Sequence, residues 1–453
     1  MVLLILLVSL AACTEPKEDD TSVGIALQLH FVGANSTQVR ISISDTSMAW
    51  QYSLNRGDSI ISHSLVHCKD TTVTDMGLIP NHDYQYRAYF WEGNKRSDSS
   101  DVLNVHTMDT TSYTFTWVLD TFGIYGTEIF DVAILAEDDI RAVGRIWFDD
   151  PDSSFNGTGR EYFNLAKFNG SEWEFHRVGE AFPGNTYAIC VINENDIWYS
   201  MAGSPVHWDG TNYTSYFPSY SAVVPEGAPI NRIWAKTPDD IYFVGYNSSF
   251  IHYDGLAFES IETDTYINLV DIVGTSGSDD IFIRGYKNPG NGDPPGCTIL
   301  HYNAASGDLQ RLYYAEYPNT QGEYGWVLGF GRGSQSNSVY VSTDDGLLEI
   351  NASTGVRSLI PPEICKFGRS QYNQDGPGQV LNIFYSAPND IFFVGILMKN
   401  IHFNGHSYNL QLDAYEAFPE IRPANSAQLG NMYVVAGYQY NWGYGAIARI
   451  WKN

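Results

Sequence analysis

From about Asp139 onward the chain repeats one pattern, and that repetition constrains its fold more than any single motif. The pattern begins with small turn residues and an acidic or amide pair. A β-rich run ending in Gly follows, then a variable loop, then an apolar-aromatic run closed by Asn-Gly or Asp-Gly. Pro238-Asp239-Asp240-Ile241-Tyr242-Phe243-Val244-Gly245 with Ile251-His252-Tyr253-Asp254-Gly255 is its clearest copy. Runs starting at Ile140, Ile197, Ile241, Ile281, Val339, Ile391 and Met432 align, at spacings of 40 to 58 residues. β-branched and aromatic residues suit strands, and Asn-Gly or Asp-Gly suits the tight turn of a hairpin.

A period near 40–50 residues with several strands per unit is the sequence signature of a β-propeller. Each unit supplies an inner strand such as Ile230–Ala235, the Gly-terminated run, the Asn/Asp-Gly run and a fourth run such as Trp173–His176. The last unit stops one strand short after Ala446–Trp451. Tyr113–Trp117, ahead of the first unit, matches the missing type. The expectation is a seven-bladed propeller over 111–453, its last blade closed by this N-terminal strand, which removes exposed sheet edges. The repeats are similar to bacterial sensor-type and WD-like propeller units carrying Asp-Ile-Trp/Tyr runs. The chain lacks the membrane helix and signalling domains of the sensors.

Ahead of the repeats, alternating runs at Ile25–Leu29, Gln38–Ile43 and Tyr84–Phe90 predict a small β-sandwich over 23–110. Leu78-Ile79-Pro80 before Tyr84, with Asp98–Thr107 as a closing strand, resembles the fibronectin type III family. That resemblance implies a spacer or binding module. The whole chain is therefore expected to be all-β.

Residues 1–12 form an apolar run too short to span a bilayer, for which about 20 residues are needed, and fit a signal peptide. Leu10-Ala11-Ala12-Cys13 resembles the lipobox of bacterial lipoproteins, although no Lys or Arg precedes the run. The resemblance implies acylation of Cys13, a tether over 13–22 and a protein anchored in the outer membrane. Lys17-Glu18-Asp19-Asp20 resembles the export signal of surface-exposed lipoproteins. Of the other cysteines, Cys68, Cys190, Cys297 and Cys365, none forms a C-x-x-C pair, and buried free thiols are favoured over disulfides.

The net charge of −27 disfavours nucleic acid as a partner, since phosphate binding requires clustered Lys and Arg. The same charge leaves the lipid anchor as the only expected tie to a membrane, and a monomer is expected.

In the repeats, the turns joining inner to second strands and those at Asn/Asp-Gly are short. The loops on the opposite face are long, variable and aromatic. Variable loops on a rigid scaffold are where binding usually resides. The candidate ligand-binding residues are therefore Trp147, Tyr286, Tyr314, Tyr317, Tyr324, Tyr440, Trp442 and Tyr444, suited to stacking on a glycan or anchoring a protein. The competing reading packs these rings beneath their own loops. Asp149, Asp150 and Asp152 offer a weak Ca²⁺ set, with solvated loop carboxylates as the alternative; no cofactor is otherwise indicated. His207, His252, His301 and His402 recur at one repeat position, which points to a structural task. No nucleophile motif, zinc motif or phosphate loop is present. The expected function is a surface binding protein without catalytic residues. The alternatives are a carbohydrate-active enzyme drawing on Asp149, Asp152, Glu226, Asp293, Glu316, Glu323 or Asp375, and a structural subunit of an envelope complex.

Overall fold

The computed structural model describes residues 24–44, 49–152, 157–179, 184–224, 228–275, 277–287, 296–316, 327–343, 346–355, 357–360, 380–410, 421–439 and 443–453. They are almost entirely β-strand, with one short helix at Phe217–Ser221 and a single 3-10 turn at Ile396–Met398. The chain divides into two compact units, the first built mainly on residues up to Ser112 and the second mainly on Tyr113 onward.

The first unit holds two sheets. Ile25–Val32, Ser36–Ile43 and Asp70–Met76 form one; Ser59–Val66, Trp50–Arg56, Asp83–Glu92 and Lys95–Ser99 form the other, with Leu103–His106 also paired to Asp83–Glu92. Alternation along the strands sends Val39, Ile41, Ile43, Trp50, Tyr52, Leu54, Tyr86 and Ala88 into a shared core. The Tyr84 hydroxyl accepts the Ile79 N–H at 2.8 Å, tying the Leu78-Ile79-Pro80 segment to the following strand.

The second unit contains five four-stranded sheets and one eight-stranded sheet. The eight-stranded sheet consists of two antiparallel four-stranded halves joined through one parallel bridge, Phe330 to Asn382. Within each group the strands run in sequence order, inner to outer. Phe115–Phe122 is the exception: it pairs antiparallel with Gly445–Lys452 and completes the last sheet from the other end of the chain.

The second strand of each group explains the apolar runs. Along Asp240–Gly245, Ile241 and Phe243 enter one core with Trp198 and Ala188, while Tyr242 and Val244 enter the next with Leu269 and Ile281. Because both faces are covered, the run is continuously apolar instead of alternating. Trp198 is buried in this way, and Trp208 and Trp234 are partly buried against neighbouring clusters. The Gly ending each run is needed for contact: a Cβ at Gly144 or Gly245 would collide with the backbone of the inner strand beside it. In the Asn/Asp-Gly turns, Gly210, Gly255 and Gly405 adopt φ near +88°. The preceding side chain caps the turn, as Asp254 does by accepting the N–H groups of Leu256 and Ala257.

The recurring histidines are structural. Nε2 of His207, His252 and His301 lies 2.8, 2.9 and 2.7 Å from Oδ1 of Asp196, Asp240 and Asp280. Each imidazole also packs on the aromatic residue of the strand it faces, Trp198, Tyr242 or Phe282. Cys190 and Cys297 are free thiols, as expected; Cys68 is instead disulfide-bonded.

Candidate functional site

Two features of the second unit carry chemistry, and both lie toward the end of the inner strands where one sheet connects to the next.

The first is a belt of polar side chains. The inner strands Glu128–Ala136, Thr186–Asn193, Ile230–Thr237, Asn268–Gly274, Val327–Arg332 and Ile421–Leu429 each contain a register shift near their start, at Asp131, Ala188, Arg232, Asp271, Gly329 and Asn425. Such a β-bulge re-aims the residues beside it. The result is a chain of bonds from each four-stranded group to the inner strand of the next, made by inner-strand side chains and, at Ser200, Arg284 and Ser342, by second-strand side chains. Asp131 Oδ2 accepts the Ile189 N–H at 3.0 Å, and Ser200 Oγ donates to Ile230 O at 3.0 Å. Asn231 Nδ2 donates to Leu269 O at 2.8 Å, and Arg284 Nη1 to Leu328 O at 2.8 Å. Ser342 Oγ donates to Val380 O, and Asn382 Nδ2 to Asn425 Oδ1. Asn425 Nδ2 returns the circuit to Asp131 Oδ1 at 2.5 Å.

Four charged groups sit on this belt. Asp131 is buried, and that burial pushes its carboxyl above the usual range, against the opposing pull of Arg232. Arg284 stands directly opposite Asp271 in register, with Nη2 3.8 Å from Asp271 Oδ2. Burial lowers the Arg284 guanidinium below its ordinary value; Asp271 opposes this and Arg232 adds to it. Asp131 and Arg232 were missed by a reading that searched loops. The signal was present in the aligned inner strands, which carry Asp131, Arg232, Asp271, Asn382 and Asn425 near their starts.

The second feature is an aromatic corner at the link Gly123–Thr127, between the closing strand and the first inner strand. Trp147 O accepts the Ile124 N–H at 2.8 Å, and Gly443 O accepts the Thr127 N–H at 3.0 Å. This link therefore gathers Trp147 from the first sheet and Tyr444 from the last. Trp147 is held edge-on against Tyr162 at 4.8 Å between ring centroids. Tyr125, at the tip of the link, is 75% exposed, and Tyr444 is 38% exposed. Arg145 fixes the link by donating through Nε to Gly126 O at 2.9 Å. Tyr125 escaped the sequence reading because it stands in a five-residue connection and not in a long loop.

Of the other described candidates, Tyr286 and Tyr314 do not join this corner. Tyr286 and Tyr314 belong to the sheet Asn268–Glu316, where Tyr314 is 44% exposed and Arg311 lies 5.5 Å from its ring centre. Partial burial raises the Tyr314 hydroxyl, and Glu316 adds to the rise. Tyr317, Tyr324, Tyr440 and Trp442 lie outside the described residues, as do Cys13, Glu226, Asp293, Glu323 and Asp375. Asp150 Oδ1 accepts the Asp152 N–H as a turn cap at 3.1 Å. Among the described residues, Asp149, Asp150 and Asp152 included, no group of three or more acidic, His or Cys side chains is arranged to hold a metal.

No family model matches the chain, and no curated protein matches it. Among solved structures it is similar to YCF48 bound to D1 peptide, with a TM-score of 0.51, 11% identity, and coverage of 76% of this chain and 100% of that one. It also aligns with a GH74 xyloglucanase from Xanthomonas campestris, at TM-score 0.44 and 10% identity over 72% of this chain and 60% of that one. The sheet arrangement and the first likeness define the second unit as a β-propeller.

Proposed function

We propose that this protein is a binding protein of the bacterial cell surface, whose propeller recognises a glycan or a protein at the link face. The observation that carries this reading is the corner at Gly123–Thr127, where backbone bonds from Trp147 and from Gly443, next to Tyr444, meet the link that carries the exposed Tyr125. Partly exposed aromatic rings on rigid backbone offer apolar faces with polar tips, suited to stacking on sugar rings or to anchoring a protein partner. The structure bound to D1 peptide is a propeller of the same general fold, which is compatible with a peptide-binding role here.

In this reading the propeller has seven blades, counting each half of the eight-stranded sheet as one. The circuit of hydrogen bonds between neighbouring groups, which passes through all of them and returns to its start, supports that count. The first unit is a fibronectin type III-like module; its strand pairing and the bond from Ile79 N–H to Tyr84 support this. Cys13 is the acylated residue, and the anchor lies in the outer membrane with the protein facing outward.

The test uses the full chain with Cys13→Ser, screened on a glycan array and by crosslinking on intact cells, beside the triple variant Tyr125→Ala, Trp147→Ala, Tyr444→Ala. Loss of a bound glycan or of a specific crosslink in a folded variant supports the site. A ligand whose binding survives all three substitutions rules it out.

A further inference from the structure

We propose that the polar belt of the second unit contains a further site, in which the guanidinium groups of Arg232 and Arg284 grip one carboxylate. The argument begins with what the hydrogen-bond circuit leaves over. Arg232 uses Nη1 to donate to Asn231 O at 2.8 Å, and Arg284 uses Nη1 to donate to Leu328 O at 2.8 Å. In both side chains the Nε–H is buried and has no hydrogen-bond partner. A buried N–H left unpaired costs about 1–3 kcal/mol, more when it is charged. Two such atoms on neighbouring inner blades mark donors that the fold itself does not use.

The belt's own carboxylates do not fill that role. Asp131 already accepts the N–H groups of Val132 and Ile189 and the side-chain amide of Asn425. Asp271 accepts the Ile272 N–H at 3.0 Å, and its other oxygen stays 3.8 Å from Arg284 Nη2, beyond hydrogen-bond range. What remains on each arginine is the Nε–Nη2 edge, the geometry that meets two carboxylate oxygens with parallel N–H bonds. The two guanidinium groups also repel each other, and a shared anion relieves that repulsion. The belt already carries two carboxylates, so a singly charged carboxylate is favoured over a phosphate dianion. The Arg284 and Asp271 side chains keep 19% and 13% exposure.

The experiment is phenylglyoxal modification of the full chain with Cys13→Ser, read by peptide mass mapping at Arg232 and Arg284. It is run with sodium acetate and with sodium chloride at equal ionic strength. Saturable protection of both arginines by acetate and not by chloride is the expected result, with Arg177 unprotected as an internal control. Equal modification in the two salts overturns the proposal. Thermal unfolding supplies a second readout: acetate raises the wild-type midpoint, and in Arg284→Lys, which keeps the charge and loses the fork, the acetate concentration needed rises about tenfold. An unchanged acetate requirement in a folded Arg284→Lys also overturns it. A blocked peptide containing one Asp, compared with its Asn counterpart, separates the two sources of the carboxylate. Protection by the Asp peptide assigns the site to polypeptide side chains, and protection by acetate alone assigns it to small free acids. Because none of these readouts involves Tyr125, Trp147 or Tyr444, failure here leaves the aromatic corner untouched.

Discussion

Asn425 Nδ2 donates to Asp131 Oδ1 at 2.5 Å, joining residues 294 positions apart. The bond links the inner strand of the last sheet to that of the first. It closes a circuit whose other members each tie one four-stranded group to the inner strand of its neighbour. Most of these bonds end on backbone carbonyls or N–H groups, so they hold the strands in register as well as in contact.

Asp131 is the member of that circuit with the most partners, and replacing it with Ala strands the N–H of Ile189 in a buried position. The expected loss of stability is on the order of 3 kcal/mol, from buried donors left unpaired. Urea unfolding midpoints measure it; a loss no larger than that of an exposed surface substitution would show that the circuit carries little energy.

The same residue gives a pH signature. Burial raises the folded-state value of the Asp131 carboxyl above its unfolded value. Its contribution is therefore complete below the ordinary carboxylate range and is lost as pH rises through the folded value. Asp131→Asn cannot ionise and lacks this dependence. The stability gap between wild type and Asp131→Asn is expected to be widest near about pH 4 and to narrow toward about pH 8. Paired unfolding curves across that range decide the matter, and a gap that grows with pH contradicts the assignment.

Closure of the last sheet rests on Arg449, whose Nε and Nη2 reach Asp120 Oδ2 and Oδ1 at 2.7 and 3.2 Å. The guanidinium also lies 4.2 Å from the ring centre of Phe168. Arg449→Lys keeps the charge but loses the fork and much of the stacking, at an expected cost of about 1–2 kcal/mol. Hydrogen exchange offers the local readout: faster exchange across Phe115–Phe122 with unchanged exchange in Asp240–Gly245 is the expected pattern.

His252→Ala removes both the partner of Asp240 and the ring stacked on Tyr242 at 4.6 Å. A destabilisation of about 1–2 kcal/mol is expected, with no change in bound metal by elemental analysis. Loss of a stoichiometric metal in this variant would instead make the repeated histidines ligands.

Burial pushes the Cys190 thiol up to about 12. At about pH 8 almost none of it is thiolate, the reactive form. Native protein should therefore leave Cys190 unlabelled by iodoacetamide, and the same treatment in guanidinium should label it fully. Rapid labelling of the folded chain at Cys190 would show that the pocket around it opens.

The sequence by itself determined the strands and their order. Turn chemistry at Asp254-Gly255 and Asn404-Gly405, and doubly covered runs such as Ile241–Gly245, are local signals that neighbouring residues enforce. It also identified Tyr113–Trp117 as the strand type missing from the last unit, because a repeat makes an absence visible; the strand that forms is Phe115–Phe122. The structural task of the recurring histidines was legible for the same reason. What only the tertiary structure decided are the meetings across the ring. Tyr125, Trp147 and Tyr444 share a corner because Gly443 and Trp147 both bond to one short link, and no spacing in the sequence reports that. Asp131, Arg232 and Asp271 share a belt because bulges in separate strands turn them to the same level, and Arg284 joins it opposite Asp271. Periodicity fixes which face of a strand a residue occupies, whereas a bulge, and the closure of the ring around it, fixes what that residue meets.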